Sequence, residues 1–480
     1  MEKSKPVYEE TCMVMLPQQS STHKEAEETS NVKQYAAAII ATLGAFAAGS
    51  VMAWTSPSLP NLQAPDSHIP VTTQEGSWIG CLMAIGALAG ALPAGVFADA
   101  IGRKIAMQSI SVPFVLSWIL IVFAESVGVL YAARIIAGIG VGAICVVAPI
   151  YVGETASSSI RGSLGGFFQL QITIGILFAY AVGAVVSFKM LAILSGIIPV
   201  VFFIGLFFVP ETPHYLLTKN RKHDAEKSML WLRGDRAKAN QEELSTIQAA
   251  ILKDMENNLS FGASMKSLFT DYVCRRAIIV GLGLMFFQQL SGINAVIFYT
   301  VAIFDAAGST LSPSLAAIIV GVVQVGVTYA ATILVDKAGR RILLMLSSSV
   351  MALCLAVLGV HFYLLETGVD VSNLGLIPLA SVVLFIVMFS LGFGPIPWTM
   401  LGELFPGHIK GAASALACVE NYILCFAVTK TFQNLLDTLG SSFTFWIFAG
   451  ICAIGTVFVF FRVPETKGKS LEEIQQEMAK

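Results

Sequence analysis

The chain has 480 residues, of which 55% are hydrophobic and only 12% are charged. A soluble domain carries about 25% charged residues, so this composition excludes a single water-soluble fold and indicates a membrane protein. The net charge of −2 gives no electrostatic basis for binding nucleic acid. The cysteines lie mainly in apolar stretches without metal-ligand spacing, so we expect no disulfide framework, metal site or cofactor.

The chain begins with a polar segment, residues 1–34, which has no signal-peptide core and which we expect to be a disordered cytoplasmic tail. Twelve apolar segments follow, each close to the roughly 20 residues that cross a bilayer as a helix. The first six cover residues 35–55, 77–97, 105–123, 130–152, 164–186 and 189–209. The second six cover residues 277–299, 314–335, 342–364, 375–400, 412–432 and 443–462.

The predicted fold is therefore an all-α membrane protein with twelve transmembrane helices in two six-helix halves, residues 35–210 and 277–462. The polar segment between the halves, residues 211–276, is predicted to be a helical linker. Apolar residues at helical spacing predict short amphipathic helices over residues 224–233, 241–255 and 470–478.

Basic residues are concentrated on one side of the predicted membrane. The loops after spans two, four, six, eight and ten carry most of the Lys and Arg residues, with Lys189 the clearest exception on the other side. The positive-inside rule therefore predicts that these loops are cytoplasmic. An even number of spans then places both termini in the cytoplasm, including the closing tail, residues 463–480.

Charged residues recur at the same ordinal spans of the two halves. Asp99 and Arg103 after span two match Asp336, Arg340 and Arg341 after span eight. Glu154 and Arg161 after span four match Glu403 and Lys410 after span ten. Glu211 after span six matches Glu465 after span twelve. Such an internal repeat is typical of transporters whose two halves rock about a central site. We predict that these charges form a cytoplasmic gating network, because small differences in free energy suffice to shift a conformational equilibrium.

Polar residues inside the spans are costly and mark candidate binding sites. They are Gln169 and Gln171 in span five, Gln288, Gln289 and Asn294 in span seven, Gln324 in span eight, Trp398 in span ten, and Glu420, Asn421 and Tyr422 in span eleven. Amides both donate and accept hydrogen bonds, as sugar hydroxyls require, although any one amide could instead bond between helices. Two prolines, Pro395 and Pro397, break span ten beside Trp398.

Three segments carry the most specific motifs: residues 288–294 (QQLSGIN), 394–398 (GPIPW) and 464–468 (PETKG). Together with the paired charges, they resemble the sugar porter branch of the major facilitator superfamily over about residues 35–474. Within that branch the chain is similar to the insect-type facilitated trehalose transporters and to the facilitative glucose transporters.

The resemblance implies a sugar substrate and a set of sugar-contacting residues, namely Gln169, Gln288, Gln289, Asn294, Gln324, Trp398 and Asn421. It also implies that Tyr299 closes an outer gate. This sequence departs from the family pattern at Ser390, where hexose porters often have Glu, and at Tyr422, which replaces Trp. His214 and Lys410 each stand where the family has Arg. The resemblance therefore leaves open whether the sugar is trehalose or a hexose such as glucose.

The main hypothesis is facilitative sugar uniport by alternating access, by a monomer in the cell membrane. A proton-coupled symporter would need an acid in the first span, where Val51 occupies the corresponding position. A porter for other organic solutes would need other cavity groups, and Glu420 is the only acid available. A nutrient sensor would typically have longer cytoplasmic extensions. We find no nucleophile–base pair or phosphate loop and do not expect an enzyme.

Overall fold

The computed structural model describes residues 18–157, 160–234, 237–256, 261–308, 311–405, 407–469 and 471–479. Within these ranges every regular element is a helix. The first half contains α1 (Gln18–Ala53), α2 (Thr55–Gln63), α3 (Thr73–Ile101), α4 (Arg103–Val122), α5 (Val127–Thr155), α6 (Arg161–Gly183) and α7 (Phe188–Gly205).

Four short helices follow, α8 (Pro213–Thr218), α9 (Lys222–Arg233), α10 (Ala237–Glu256) and α11 (Phe261–Thr270). The second half contains α12 (Tyr272–Leu290), α13 (Ile293–Ala306), α14 (Pro313–Ala338), α15 (Arg340–Glu366), α16 (Ile377–Leu391), α17 (Ile396–Leu404) and α18 (Gly407–Arg462). A terminal helix, α19 (Leu471–Ala479), closes the described chain. We call the end of the bundle that carries α8–α11 and α19 the linker face, and the other end the opposite face.

The predicted count of twelve spans is confirmed, because the last of the apolar helical segments contains two spans that meet at Gly440. Eleven segments of the described chain are long and apolar enough to cross a membrane, and the last of them, Ile409–Arg462, has 54 residues. A straight helix of that length would extend about 80 Å, whereas the hydrocarbon core is about 30 Å thick. Gly440, with φ 83° and ψ 166°, reverses the chain inside this run and divides it into spans eleven and twelve.

Three spans of the described chain are each built from two helices. Span one changes from α1 to α2 at Trp54, and span ten changes from α16 to α17 across Gly392–Pro395. Span seven changes from α12 to α13 at Gly292, which has a left-handed φ of 84°. The prolines of span ten predicted its break, whereas the breaks in spans one and seven were not predicted.

Glycines let helices of the first half pack backbone against backbone. A Cβ on Gly138 of α5 would lie 2.1 Å from the carbonyl oxygen of Met83 in α3, and one on Gly142 would lie 1.9 Å from that of Ala87. A Cβ on Gly49 of α1 would similarly lie 2.1 Å from Ile172 O in α6. Close approach of this kind is the usual way for helices to associate in lipid, where no hydrophobic effect drives them together.

The segments outside the spans agree in part with the sequence predictions. The predicted amphipathic helices correspond to α9, α10 and α19, whereas α8 and α11 were not predicted. The expectation of a disordered tail over residues 1–34 is wrong for residues 18–34, which are the first turns of α1. Residues 1–17 lie outside the described part of the chain.

Candidate functional site

A cluster of buried amides joins spans seven, ten and eleven. Gln288, at the end of α12, is 3% exposed and donates from Nε2 to the carbonyl oxygens of Phe393 (2.7 Å) and Gly394 (3.0 Å). Its Oε1 accepts a hydrogen bond from Asn421 Nδ2 at 3.0 Å. An intact helix would use these main-chain carbonyls in its own hydrogen bonds, but the break in span ten leaves them available to other donors. Gln288 therefore connects the break in span ten to Asn421 in one hydrogen-bond network.

A second amide pair lies across the break in span seven. Asn294 Nδ2 donates to Gln289 Oε1, and both side chains are buried. The sequence placed Gln288, Gln289 and Asn294 together in span seven. The left-handed Gly292 restarts the helix, so Asn294 turns back to Gln289 while Gln288 faces span ten.

The remaining predicted sugar contacts do not join this cluster by direct hydrogen bonds in the described structure. Gln324 of α14 is buried, and its Oε1 has no hydrogen-bond partner among the described residues. Gln169 of α6 is half-buried, and Trp398 of α17 is 41% exposed. A buried amide oxygen without a partner is costly, so Gln324 offers an acceptor to a bound hydroxyl.

The two halves close against each other at the opposite face. Tyr299, the predicted outer gate, is buried, and its hydroxyl packs so closely on Gly80 that a Cβ there would lie 2.8 Å away. Its ring also packs against Phe432, with centroids 5.4 Å apart. Tyr299 departs from helical geometry, with φ −120° and ψ 18°, which marks a local kink beside this contact.

Hydrogen bonds between the halves lie at the same end of the bundle. Tyr180 Oη donates to Ile297 O at 2.7 Å, and Val301 N donates to Ser56 Oγ at 3.1 Å. Two further bonds, each between α3 and α18, are Lys430 Nζ to Ser77 Oγ at 2.6 Å and Gln74 Nε2 to Asn434 Oδ1 at 3.0 Å. This one-sided distribution is what alternating access requires of a state closed at the opposite face.

Charged residues at the linker face form a network inside the first half. Arg103 makes ion pairs with Asp99 and Glu154, each at 2.9 Å. The second carboxylate oxygen of Glu154 accepts a hydrogen bond from Thr212 Oγ1 at 2.6 Å. Glu211 accepts the N–H of Lys104 at 3.0 Å, and burial raises the pKa of Glu211 above its ordinary value. Spans two, three, four and six are thereby connected at their ends.

The second half repeats the arginine, threonine and glutamate contacts of this network. Arg340 pairs with Glu403 at 3.1 Å, and Thr466 donates to the other oxygen of Glu403 at 2.5 Å. Glu465 accepts the N–H groups of Arg340 (2.9 Å) and Arg341 (3.1 Å). Burial opposes ionisation of Glu465, but these N–H donors and that of Lys467 outweigh it, so its pKa is lowered. The side chain of Asp336 lies outside the described structure.

The described ion pairs therefore connect helices within a half rather than across the two halves. Arg161 takes no part in an ion pair in the described chain, being exposed and donating to Ala156 O at 3.4 Å. Both networks need a glycine at the helix junction: a Cβ on Gly102 would lie 2.3 Å from Glu211 Oε2, and one on Gly339 would lie 2.9 Å from Glu465 Oε2. Both glycines also have positive φ, of 102° and 94°.

Residues 13–478 match the profile of the sugar (and other) transporter family. The chain belongs to this family. Facilitated trehalose transporter Tret1 of Polypedilum vanderplanki is 42% identical over 449 residues, covering 93% of this chain and 88% of that protein. Tret1 of Culex quinquefasciatus is 40% identical, covering 97% and 91%. Tret1 of Drosophila mojavensis is 42% identical, but the chain spans only 51% of its length.

Solved structures agree with the family assignment and show the major facilitator fold. The proton:xylose symporter XylE, bound to 6-bromo-6-deoxy-D-glucose, superposes with a TM-score of 0.76 at 25% identity, covering 94% of this chain and all of that one. The inward open conformation of the E. coli xylose transporter XylE also gives a TM-score of 0.76 at 25% identity, covering 92% and 98%.

One buried cation of this sugar transporter hydrogen-bonds only to main-chain carbonyls in the described chain, and its guanidinium also lies 5.7 Å from the centroid of the Trp54 ring. Arg134 of α5 is fully buried and donates to Val51 O at 2.8 Å and Ile79 O at 3.0 Å. No carboxylate of the described chain lies within ion-pair distance of it. Val51 stands where a coupled porter would have an acid, and here it offers its carbonyl oxygen to Arg134 instead. The sequence analysis identified Val51 but could not predict its contact with Arg134.

Proposed function

We propose that this protein carries a sugar across the cell membrane by facilitative alternating access, without ion coupling and without a chemical reaction. The observation that carries the proposal is the buried amide network of Gln288 and Asn421 at the break in span ten. Amides in this position can exchange their mutual bonds for bonds to sugar hydroxyls at little net cost.

The proposed sugar contacts are those that the resemblance implied: Gln169, Gln288, Gln289, Asn294, Gln324, Trp398 and Asn421. Trp398 would offer its indole face to the apolar face of a sugar ring, and its exposure supports this assignment. Tyr299 would act as the gate at the opposite face. Because the relatives are named for facilitated trehalose transport, trehalose is the first candidate sugar and glucose the second.

We propose that the linker face lies in the cytoplasm, because the basic residues of the loops that follow the even-numbered spans lie at this face. The structure would then represent a state closed to the outside. The linker-face charges would act as the gate on the cytoplasmic side: Asp99, Arg103, Glu154, Arg161, Glu211, Asp336, Arg340, Arg341, Glu403 and Glu465. The proposed domains are an N-terminal tail of residues 1–34, a first half of residues 35–210, a linker of residues 211–276, a second half of residues 277–462 and a C-terminal tail of residues 463–480.

The test is uptake of labelled trehalose, glucose and xylose into liposomes that contain the purified protein. We expect saturable uptake of trehalose or glucose, and inhibition by an excess of the same unlabelled sugar. Uptake of every sugar at the rate of protein-free liposomes, by protein that is folded and correctly inserted, would contradict the proposal.

A further inference from the structure

A basic cavity of about 510 Å³ opens at the linker face of the second half. Three arginines line it, one each from the beginning of α12, the beginning of α15 and the end of α18: Arg276, Arg341 and Arg462. The one acidic residue in its wall, Glu477 of α19, is paired with Lys469 at 2.5 Å. Within the described residues, the wall of the cavity therefore carries more positive than negative charge.

The arginines keep hydrogen-bond donors that the described chain does not use. Arg276 Nη1 donates to Met478 O at 2.7 Å, which ties the terminal helix α19 to α12. Arg341 donates from Nη2 to Phe460 O, while its Nε is buried without a partner. Arg462 makes no hydrogen bond or ion pair within the described residues. Guanidinium groups arranged in this way are suited to bind the oxygens of a phosphate.

The apolar part of the wall decides what kind of molecule can carry that phosphate. Ile279 of α12 and Phe461 of α18 line the cavity and belong to membrane spans, and Phe461 is 74% exposed. The cavity thus lies at the linker-face end of these spans, where basic and apolar side chains share its wall. A free solute would leave these apolar side chains uncovered, whereas a lipid would cover them.

We propose that this cavity binds the phosphate-bearing headgroup of an anionic phospholipid from the leaflet at the linker face. The phosphate lies among Arg276, Arg341 and Arg462, and the acyl chains extend along Ile279 and Phe461. Basic pockets between transmembrane helices are known to receive anionic headgroups. The lipid connects α12, α15, α18 and α19, so it fastens the terminal helix to the second half.

The experiment measures lipid retained by the purified full chain in native mass spectrometry. The protein is first exchanged into vesicles of phosphatidylcholine, with or without phosphatidylinositol phosphate. We expect wild type to retain the anionic lipid, and Arg462→Gln and Arg276→Gln each to weaken retention about fivefold. Arg462→Lys, which keeps the charge, should retain more lipid than Arg462→Gln.

The matched control is Arg275→Gln, which removes the same charge from the neighbouring position of α12, outside the cavity. Retention in this variant should equal that of wild type. An equal loss in Arg275→Gln would mean diffuse attraction to the surface, and unchanged retention in both cavity variants would also overturn the site. Competition by inorganic phosphate as strong as that by the phospholipid would identify a solute site rather than a lipid site.

Discussion

The ammonium of Lys430 lies 4.3 Å from the centroid of the Trp78 indole ring, and this contact connects the two halves at the opposite face. Lys430 also donates to Ser77 Oγ, so one side chain of span eleven makes two contacts with span two. A cation over an aromatic face contributes about 0.5–1 kcal/mol at an exposed site, and Trp78 is 38% exposed. We infer that this contact holds the opposite face closed.

Replacing Lys430 by Gln should therefore shift the equilibrium toward the state that is open at the opposite face. A loss of about 1 kcal/mol corresponds to a change of about fivefold in the population ratio. The buried Cys81, three residues from Trp78, reports this shift when it is the only cysteine retained. It should react faster with an impermeant thiol reagent added at the opposite face.

Lys189→Gln is the control for this experiment, because Lys189 lies in the first turn of α7 at the same face and makes no contact between the halves in the described chain. It should leave the labelling of Cys81 unchanged. Equal labelling rates in wild type and Lys430→Gln would contradict the assignment of Lys430 as a latch.

The amide network predicts which substitutions impair sugar binding. Asn421→Ala removes one donor to Gln288 and should weaken sugar affinity two- to tenfold, since a hydrogen bond contributes about 0.5–1.5 kcal/mol. Gln288→Ala should abolish most transport, because it also releases the carbonyls at the break in span ten. Trp398→Ala should likewise abolish most transport. The measurements are sugar-induced thermal stabilisation and uptake.

A control for the amide substitutions is Gln433→Ala, which removes an exposed amide that bonds to Asp437 in the same helix, α18. It should transport like wild type. Wild-type uptake by both Gln288→Ala and Trp398→Ala at normal surface expression would refute the proposed site.

The paired networks at the linker face predict similar effects from matched substitutions. Glu154→Gln and Glu403→Gln each weaken an arginine contact and a threonine contact. Each should shift the protein toward the state open at the linker face, as should neutralising Arg161 or Arg341. Cysteine labelling from the two sides measures this shift, with the exposed Glu226→Gln as control. Unchanged accessibility in all four variants would argue against a gating network.

Glu211 and Glu465 accept hydrogen bonds from N–H groups at the beginnings of α4 and α15, and these two carboxylates should respond differently to pH. Burial raises the pKa of Glu211, so its ionised form opposes folding, and this opposition is relieved as the pH falls through the raised pKa. The pKa of Glu465 is lowered, so its ionised form stabilises the fold above its ordinary pKa, and this contribution is lost as the pH falls through the lowered pKa. At neutral pH, Glu465→Gln should lower the melting temperature more than Glu211→Gln. A larger decrease in melting temperature for Glu211→Gln than for Glu465→Gln would contradict this difference between the two carboxylates.

Much of the fold could be predicted because a membrane span needs only length and apolar composition, and both can be counted along the chain. The break at Gly292 could not be predicted in this way, because a glycine within an apolar run is also compatible with a straight helix. Helix α8 had a signal that was missed, the Thr212–Pro213 pair that caps its first turn. Contacts such as that of Lys430 with Trp78 join residues that are far apart in the chain, and a single sequence does not show which distant residues are in contact.

The environment of Arg134 is the reason for expecting that sugar moves without a proton. This cation donates to main-chain carbonyls, with no carboxylate of the described chain in ion-pair reach, so a proton-binding partner is missing at the position that coupling would use. Glu420, half-buried in span eleven with one oxygen lacking a partner among the described residues, is the remaining candidate for a proton carrier.

The most direct measurement is sugar uptake into proteoliposomes with and without an inward-directed proton gradient. For facilitative transport, we expect the internal sugar concentration to rise until it equals the external concentration, with or without the gradient. Accumulation above the external concentration, abolished by a protonophore, would contradict this expectation, and loss of that accumulation in Glu420→Gln would identify the proton carrier.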